Sequence, residues 1–249
     1  MVNTLAALGH FGRFAFVAFA RMLIPPWNIG EASRFTWQIT SRCVIPVIAT
    51  VAPLGMVMTL QGLVVFDLFG AQRLISSLVS VAVFRELSPV MASALVAAQG
   101  GSSFAAELGA MRIKEEIDAT EVMAFDPIRV HVAPRLFASI VATPLLHLIG
   151  SIGGITGGYL VAVYGKGESG GIFLANMWNL VGTMDIAGGL IKTTIFGTII
   201  GLIACYKGFY ATGGAAGVGK AVNDTVVLAI TTFIIANYFL TSAFYGTTG

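Results

Sequence analysis

The chain has 249 residues, of which 56% are hydrophobic and only 10% are charged, and its mean hydropathy is +0.86. Soluble domains carry about 25% charged residues, so this composition excludes an ordinary soluble protein and indicates an integral membrane protein. The net charge of +2 is too small to favour nucleic-acid binding. The length suits one helical bundle, so we expect residues 1–249 to form a single transmembrane domain.

Five segments are long and apolar enough to cross a membrane, which takes about 20 mostly apolar residues. We predict these spans at residues 44–66, 74–98, 136–164, 186–206 and 222–245. Residues 5–24 are also apolar, but they are interrupted by His10, Arg13 and Arg21, and a Pro-Pro pair follows at 25–26. This pattern predicts a helix that lies at the membrane interface, with a short sixth span as the alternative.

Glycines recur in the third predicted span at the spacing of one helical turn. Gly150, Gly154 and Gly158 are four residues apart, as are Gly153 and Gly157. Small residues at this spacing let two helix backbones approach closely. We therefore predict close packing of this span against another helix, within the protomer or across a dimer.

The distribution of lysine and arginine predicts the orientation, because these residues are enriched in the cytoplasmic loops of membrane proteins. Ten of them lie before the first span, between spans two and three, or between spans four and five. In the loops on the other side there are only Arg73 and Lys166. We therefore expect a cytoplasmic N-terminus and a C-terminus outside.

A dense cluster of charges lies between the second and third predicted spans, in residues 105–127, AAELGAMRIKEEIDATEVMAFDP. Its apolar residues recur at helical spacing, and we expect Pro127 to end the helix at about Phe125 or Asp126. The pattern predicts a short amphipathic cytoplasmic helix. This helix is either a solvated loop helix or a docking helix for a cytoplasmic partner.

The second and fourth predicted spans contain charged side chains in their interior, which are costly inside a membrane and indicate a functional site by default. Arg85 and Glu86 lie in the second span, and Lys192 lies in the fourth span, two turns beyond Asp185. Pro89 has no N–H group to donate to the carbonyl of Arg85, so that carbonyl is left as an available acceptor. The alternative is that these charges form a purely structural ion pair.

Residues 214–221, GAAGVGKA, nearly match a phosphate-binding loop. Ala221 stands where a metal-holding hydroxyl is required, and no strand precedes the segment. We therefore expect neither an ATP site nor any cofactor in this chain. No sequence spacing indicates a catalytic triad or a metal site, so we do not expect an enzyme. His147 lies within the third span and is either a packed neutral imidazole or part of a cavity.

Residues 84–135, which begin FRELSPVMASALV, resemble the signature region of the MlaE/YrbE permeases, the membrane subunits of Mce-type ABC lipid transporters. Residues 185–209 and 214–229 resemble later segments of the same family's sequences. These segments are most similar to the family's actinobacterial YrbE branch. The resemblance implies an all-α membrane protein with an N-terminal interfacial helix, five transmembrane helices and a short cytoplasmic coupling helix between spans two and three. It also implies a lipid or fatty-acid permease of the bacterial plasma membrane.

The resemblance further implies that ATP and magnesium bind to a partner, a dimer of cytoplasmic ABC ATPases. The other implied partners are a second permease subunit, identical or paralogous, and periplasmic or cell-wall MCE proteins. Residues 105–127 would then be the coupling helix that sits in a groove of the ATPase. The implied coupling residues are Glu107, Met111, Arg112, Lys114, Glu115, Glu116 and Asp118.

The resemblance also implies that the charged residues of the spans lie near a cavity that holds lipid. The implied cavity residues are Arg85, Glu86, Asp185, Lys192 and Asn237. Some members of the family have an acidic residue at the position of Asn237. We expect Glu86 to face Lys192, or Arg85 to face an acid, within the protomer or across a dimer.

Two other functions stay open at this point. One is a proton-coupled secondary carrier that uses Glu86, Lys192 and His147, although the odd number of spans disfavours it. The other is a non-transporting scaffold of an envelope lipid-transport complex. Replacement of the intramembrane charges by apolar residues separates the two, because a scaffold does not need them.

Overall fold

The computed structural model describes residues 2–24, 28–71 and 74–246. Their regular secondary structure is entirely helical, which confirms the predicted all-α class for this part of the chain. In chain order the α-helices are α1 Val2–Leu23, α2 Ile29–Leu68, α3 Ile75–Ala82, α4 Ser88–Val96, α5 Ser102–Ile113, α6 Glu116–Val122, α7 Ala133–Leu160, α8 Gly170–Met177, α9 Thr183–Phe209 and α10 Gly214–Tyr245.

Short π-helical turns connect or extend several of these helices. They are Val83–Leu87, Ala97–Gly101, Ile128–Val132 and Val161–Gly165. The first two join α3, α4 and α5 into one continuous helix, and the other two lengthen α7 at both ends. Such turns widen a helix locally and occur frequently at functional sites. The turn Val83–Leu87 carries Arg85 and Glu86, so the backbone irregularity coincides with the predicted intramembrane charges.

Five of the described helices are long and apolar enough to cross a membrane, which confirms the predicted number of spans. They are Ile29–Leu68, Ile75–Ile113, Ile128–Gly165, Thr183–Phe209 and Gly214–Tyr245. All five are longer than the apolar segments predicted from the sequence, because hydropathy detects only the part of a helix that matches the hydrocarbon thickness. The predicted N-terminal helix is found as α1, which is not one of the five, and its position at the membrane interface stays a prediction. Pro25, Pro26 and Arg73 lie outside the described residues.

The charged segment 105–127 does not form the single short helix that the sequence predicted. Its first part belongs to α5, which continues the second span as far as Ile113, and α6 begins only at Glu116. Glu115 lies between the two helices with φ of 60°, in the left-handed region. This turn lets Ile117 on α6 become buried, whereas a continued helix would have carried the segment further from the span.

The end of α6 also differs from the prediction. The helix ends at Val122, because the chain turns again at Ala124, where φ is 63°. Asp126 instead caps the next helix, since its Oδ1 accepts a hydrogen bond from the N–H group of Ile128 at 3.0 Å. An aspartate cap followed by proline in the first helical position is a common helix start. Pro127 therefore begins the third span rather than ending α6.

The chain divides into two compact units, each built from three stretches of sequence. The first unit comprises Met1–Thr40, Val96–Ala142 and Ile195–Ile235, and its apolar core includes Phe14, Leu108, Leu136 and Cys205. The second unit comprises Ser41–Leu95, Thr143–Thr194 and Ala236–Gly249, and its apolar core includes Leu63, Ile75, Val79 and Val83. The intramembrane charges of the second and fourth spans belong to the second unit, and residues 105–127 belong to the first.

The glycines of the third span pack against α2 within the second unit. A Cβ atom added to Gly55 would lie 2.0 Å from the carbonyl oxygen of Gly154, and one added to Gly157 would lie 2.3 Å from the carbonyl oxygen of Ala52. No side chain fits at these distances. The glycine spacing therefore allows close helix packing within the protomer, which is one of the two alternatives that the sequence predicted.

Candidate functional site

Glu86 is the centre of a polar network in the second unit. Its Oε1 accepts hydrogen bonds from Lys192 Nζ at 2.9 Å and from Thr241 Oγ1 at 2.8 Å. Its Oε2 accepts a hydrogen bond from Asn237 Nδ2 at 2.8 Å. The donors come from α9 and α10, so the network joins three of the membrane-spanning helices. A carboxylate with three donors meets the main condition for keeping a charge inside a membrane.

Lys192 is completely buried and reaches two acceptors in the second span. Its Nζ donates to Glu86 and also to the backbone carbonyl of Arg85 at 2.9 Å. This is the carbonyl to which Pro89 cannot donate, and the lysine supplies a side-chain donor to it.

Arg85 forms a second ion pair beside the first. Its Nε donates to Asp185 Oδ1 at 2.6 Å, and its guanidinium group lies over the ring of Tyr245 at 4.3 Å from the centroid. Asp185 Oδ2 accepts a hydrogen bond from the N–H group of Gly182 at 2.8 Å, and the residue lies in the first turn of α9, where a negative charge is favoured. The structure therefore contains both of the pairs that were expected as alternatives, and both lie within one chain.

The two ion pairs differ in which partner is accessible. The side chains of Glu86 and Arg85 are 38% and 33% exposed, whereas those of Lys192 and Asp185 are 0% and 4% exposed. Each accessible charge is therefore backed by a buried counter-charge. Chemically, this arrangement presents one carboxylate and one guanidinium group at the surface of a membrane-spanning segment, with no net charge to bury.

His147 packs next to this network in the second unit. Its Nδ1 lies 3.1 Å from Ser88 Oγ, and the side chain is fully buried. Its Nε2 is buried without a hydrogen-bond partner among the described residues and points at Gly189, where an added Cβ would lie 2.6 Å away. The described structure thus shows a packed imidazole in a polar niche, and Gly189 provides the space for it.

The predicted coupling residues lie on α5, on α6 and in the turn between them, and several of them are paired within the chain. Arg112 on α5 donates to Asp118 on α6, and Arg135 Nη2 donates to Glu107 Oε2 at 3.1 Å. Met111 packs against the apolar core of the first unit. These residues therefore hold the segment in its own fold. Lys114, Glu115 and Glu116 remain on its exposed surface.

Sequence reasoning missed a set of exposed apolar side chains at the C-terminal end of α6 and just beyond it. Val122 is 88% exposed, and the set, which we call the α6 knob, consists of Val122, Met123 and Phe125. Apolar side chains that project beside charged ones are typical of a surface that another protein covers. The run VMAF within the charged segment was the signal, but the helical pattern alone did not show that these residues project outward.

Residues 214–221, the near match to a phosphate-binding loop, form the first turns of α10. They are helical from Gly214 onward, with no preceding strand, and a phosphate-cradling loop requires strand, loop and helix in that order. Among the described residues there is also no cluster of three or more His, Cys, Asp or Glu side chains suited to a metal ion.

Comparison with known proteins assigns the family. The profile of the permease MlaE family matches residues 33–243, which include both the Glu86 network and the α6 knob. The chain belongs to the MlaE permease family. It is 37% identical over 239 residues to a probable ABC transporter permease protein of Rickettsia prowazekii, covering 96% of this chain and 92% of the relative.

Other relatives of this MlaE-family permease come from distant organisms. It is 36% identical over 258 residues to the intermembrane phospholipid transport system permease protein MlaE of Haemophilus influenzae, covering 99% of both chains. It is 37% identical over 191 residues to the chloroplastic protein TRIGALACTOSYLDIACYLGLYCEROL 1 of Arabidopsis thaliana, covering 77% of this chain and 55% of the relative. The family predicted from the sequence is confirmed, and the closeness to its actinobacterial branch stays a prediction.

Proposed function

We propose that this MlaE-family permease is the membrane subunit of an ABC-type lipid transporter in a bacterial plasma membrane. The relatives named as an ABC transporter permease and as a phospholipid transport permease support this function. The observation that carries it is the Glu86 network. A transmembrane segment that keeps Glu86 and Arg85 partly exposed offers polar contacts to a headgroup that must cross the apolar layer.

The geometry favours binding of a phosphate-containing headgroup. Asp185 accepts a hydrogen bond from Nε of Arg85, and the other nitrogens of this partly exposed guanidinium group can donate to phosphate oxygens. Glu86 can accept hydrogen bonds from hydroxyl or ammonium groups of the same headgroup. Because the network has no net charge, it can hold and release a headgroup without leaving an isolated charge in the membrane.

The partner ATPases hydrolyse ATP with magnesium in this proposal, and the segment from α5 to α6 receives the resulting movement. The α6 knob is the contact that we expect to enter a groove of the ATPase, with Glu115 and Glu116 at its rim. Arg112 and Asp118 act indirectly, because their ion pair holds α6 against α5. The chain itself then acts as a transport subunit and not as an enzyme.

The remaining proposals concern assembly and orientation. We propose that residues 1–249 act as one permease domain, since the family profile spans stretches of both compact units. A second permease subunit, identical or paralogous, is supported by the largely unburied apolar surfaces of α2 and α10. Periplasmic or cell-wall MCE proteins are the proposed partners outside, with a cytoplasmic N-terminus and the C-terminus outside.

The test is lipid transport by the reconstituted complex with its candidate ATPase. Lys192→Met removes the buried partner of Glu86, and we expect loss of most transport with the complex still assembled. Lys207→Met is the matched control, because Lys207 lies on the same helix and pairs with Asp224 at 3.2 Å, outside the network. Equal transport by both variants contradicts a role for the network in transport.

The same assay separates the competing functions. If the chain is only a scaffold, the complex with Lys192→Met transports lipid normally. If the chain is a permease, the same substitution reduces transport. A proton-coupled carrier moves lipid in vesicles that have a pH gradient and no ATPase. Transport that requires the ATPase and ATP supports the proposed ABC mechanism, and transport that requires only the gradient contradicts it.

A further inference from the structure

Arg135 is a buried charge in the first unit that the proposed function does not use. It lies near the start of α7 in the third span, and only 4% of its side chain is exposed. Its Nη2 donates to Glu107 Oε2 on α5 at 3.1 Å, and its Nη1 donates to the carbonyl of His131 at 2.7 Å. Separation of such a pair is strongly unfavourable, because it leaves a buried charge without compensation.

The same guanidinium group also contacts the beginning of α2. It lies over the ring of Phe35, with Cζ 4.4 Å from the centroid, which is a cation–π distance. Phe35 packs edge-to-face against Phe104 on α5, with the ring centroids 5.7 Å apart. Both rings are buried. One arginine of the third span therefore fixes its position relative to both α2 and α5.

The ion pair restrains α5 in a way that apolar packing does not. Leu108 on α5 and Leu136 on α7 belong to the same apolar core. Apolar attraction is not directional, so it resists separation of two helices more than it resists sliding of one along the other. A hydrogen-bonded ion pair has a fixed geometry, and buried polar pairs are best known for setting the register between helices. The pair of Arg135 with Glu107 therefore sets the register of α5 against the third span.

We infer that Arg135 is a positioning residue for coupling, which makes α5 and the third span move together when a partner ATPase acts on the segment from α5 to α6. The inference rests on the proposed function, because it assumes an ATPase at that segment. Arg135 acts through Glu107 and not by contact with the ATPase. Without the pair, α5 slides along the third span, and ATP is hydrolysed with little lipid transport.

The experiment measures lipid transported per ATP hydrolysed by the reconstituted complex with its candidate ATPase. The double variant Arg135→Met with Glu107→Leu replaces the ion pair by apolar side chains, a change that often preserves stability. We expect the ratio to fall about fivefold or more, as for couplings between distant sites, with normal assembly. A purely structural contact would alter assembly or melting temperature and leave the ratio of the assembled complex unchanged. An unchanged ratio therefore overturns the inference.

The matched control removes another ion pair of the first unit. Lys207 Nζ lies 3.2 Å from Asp224 Oδ2, but the two side chains are 28% and 36% exposed, so their pair restrains the helices less. Lys207→Met with Asp224→Leu should keep the wild-type ratio. A fall as large as that of the first double variant contradicts a specific role of Arg135.

Two single variants test the ion pair without emptying the core. Arg135→Lys keeps the positive charge opposite Glu107 and should keep most of the ratio. Glu107→Gln removes the negative charge from a partly exposed position and should lower the ratio with the fold intact. A loss in Arg135→Lys equal to that of the double variant, or an unchanged ratio in Glu107→Gln, overturns the inference.

The wild-type complex separates this inference from the proposed function. Absence of ATP-dependent lipid transport by the wild-type complex contradicts the proposed function, and the inference fails with it. ATP-dependent transport by the wild type, together with an unchanged ratio in the double variant, contradicts the role of Arg135 alone.

Discussion

At the scale of single residues, Glu86 shows how the chain keeps charge inside its membrane-spanning part. Lys192, Asn237 and Thr241 all donate to this carboxylate, and all three are more than a hundred positions away in the sequence. The sequence indicated that Glu86 and Lys192 were in spans, because an ionisable residue within an apolar run is visible by inspection. It did not indicate Thr241, since a threonine within an apolar helix has no distinctive pattern.

Asn237→Asp is the most direct test of the charge at Glu86. The substitution places a second carboxylate at the 2.8 Å contact that the amide now makes, so repulsion replaces a hydrogen bond. We expect a loss of about 1–3 kcal/mol in stability, together with weaker transport. Asn237→Ala should cost less, because it removes the hydrogen bond and adds no charge. A thermal melt measures the stability of both purified variants. A more stable Asn237→Asp than Asn237→Ala contradicts an ionised Glu86.

Gly189→Ala tests the close packing beside the network. The added Cβ would lie 2.6 Å from His147 Nε2 and 2.9 Å from the carbonyl oxygen of Phe84, so the helices must separate. We expect a destabilisation of about 1–3 kcal/mol, measured by thermal melting. Gly219→Ala on α10 is the control, since nothing lies within 4 Å of its added Cβ. It should be neutral or slightly stabilising, and equal melting of the two variants contradicts the packing argument.

At the scale of elements, hydropathy identified the spanning helices but not their full length or their interruptions. The second span continues through Ile113 because α5 is helical well past the apolar core. The turn at Glu115 cannot be read from helix propensity, since glutamate is a good helix former. The burial of Ile117 and the ion pair between Arg112 and Asp118 accompany that turn, and both are contacts of the folded protein.

The α6 knob predicts which substitutions uncouple the permease from its ATPase. Val122→Glu together with Met123→Glu should weaken binding of the candidate ATPase about tenfold or more, because an apolar contact then buries charges. Both side chains are exposed in the chain alone, so the melting temperature should not change. Glu121→Gln is the control on the same helix and should bind normally. Unaltered binding by the double variant contradicts docking through the knob.

At the scale of the whole molecule, the lysine and arginine distribution predicts which loops face the cytoplasm. Lys166 and Lys220 lie in exposed positions on opposite sides of the predicted arrangement, and the native Cys43 and Cys205 are both fully buried. A membrane-impermeant thiol reagent should therefore label Lys166→Cys in intact cells. Lys220→Cys should react only after the membrane is opened. The reverse pattern contradicts the proposed orientation, and the wild-type chain serves as the background control.

The sequence by itself determined the membrane class, the five spans, the N-terminal helix and the family, because all of these follow from composition, local hydropathy and contiguous motifs. Only the tertiary structure decided which groups pair. In the structure Lys192 pairs with Glu86 and donates to the carbonyl of Arg85, and Arg85 pairs with Asp185. The structure also paired Arg112 within the charged segment and left the α6 knob exposed. These outcomes depend on distances between helices far apart in the chain, and no local pattern of residues specifies such distances.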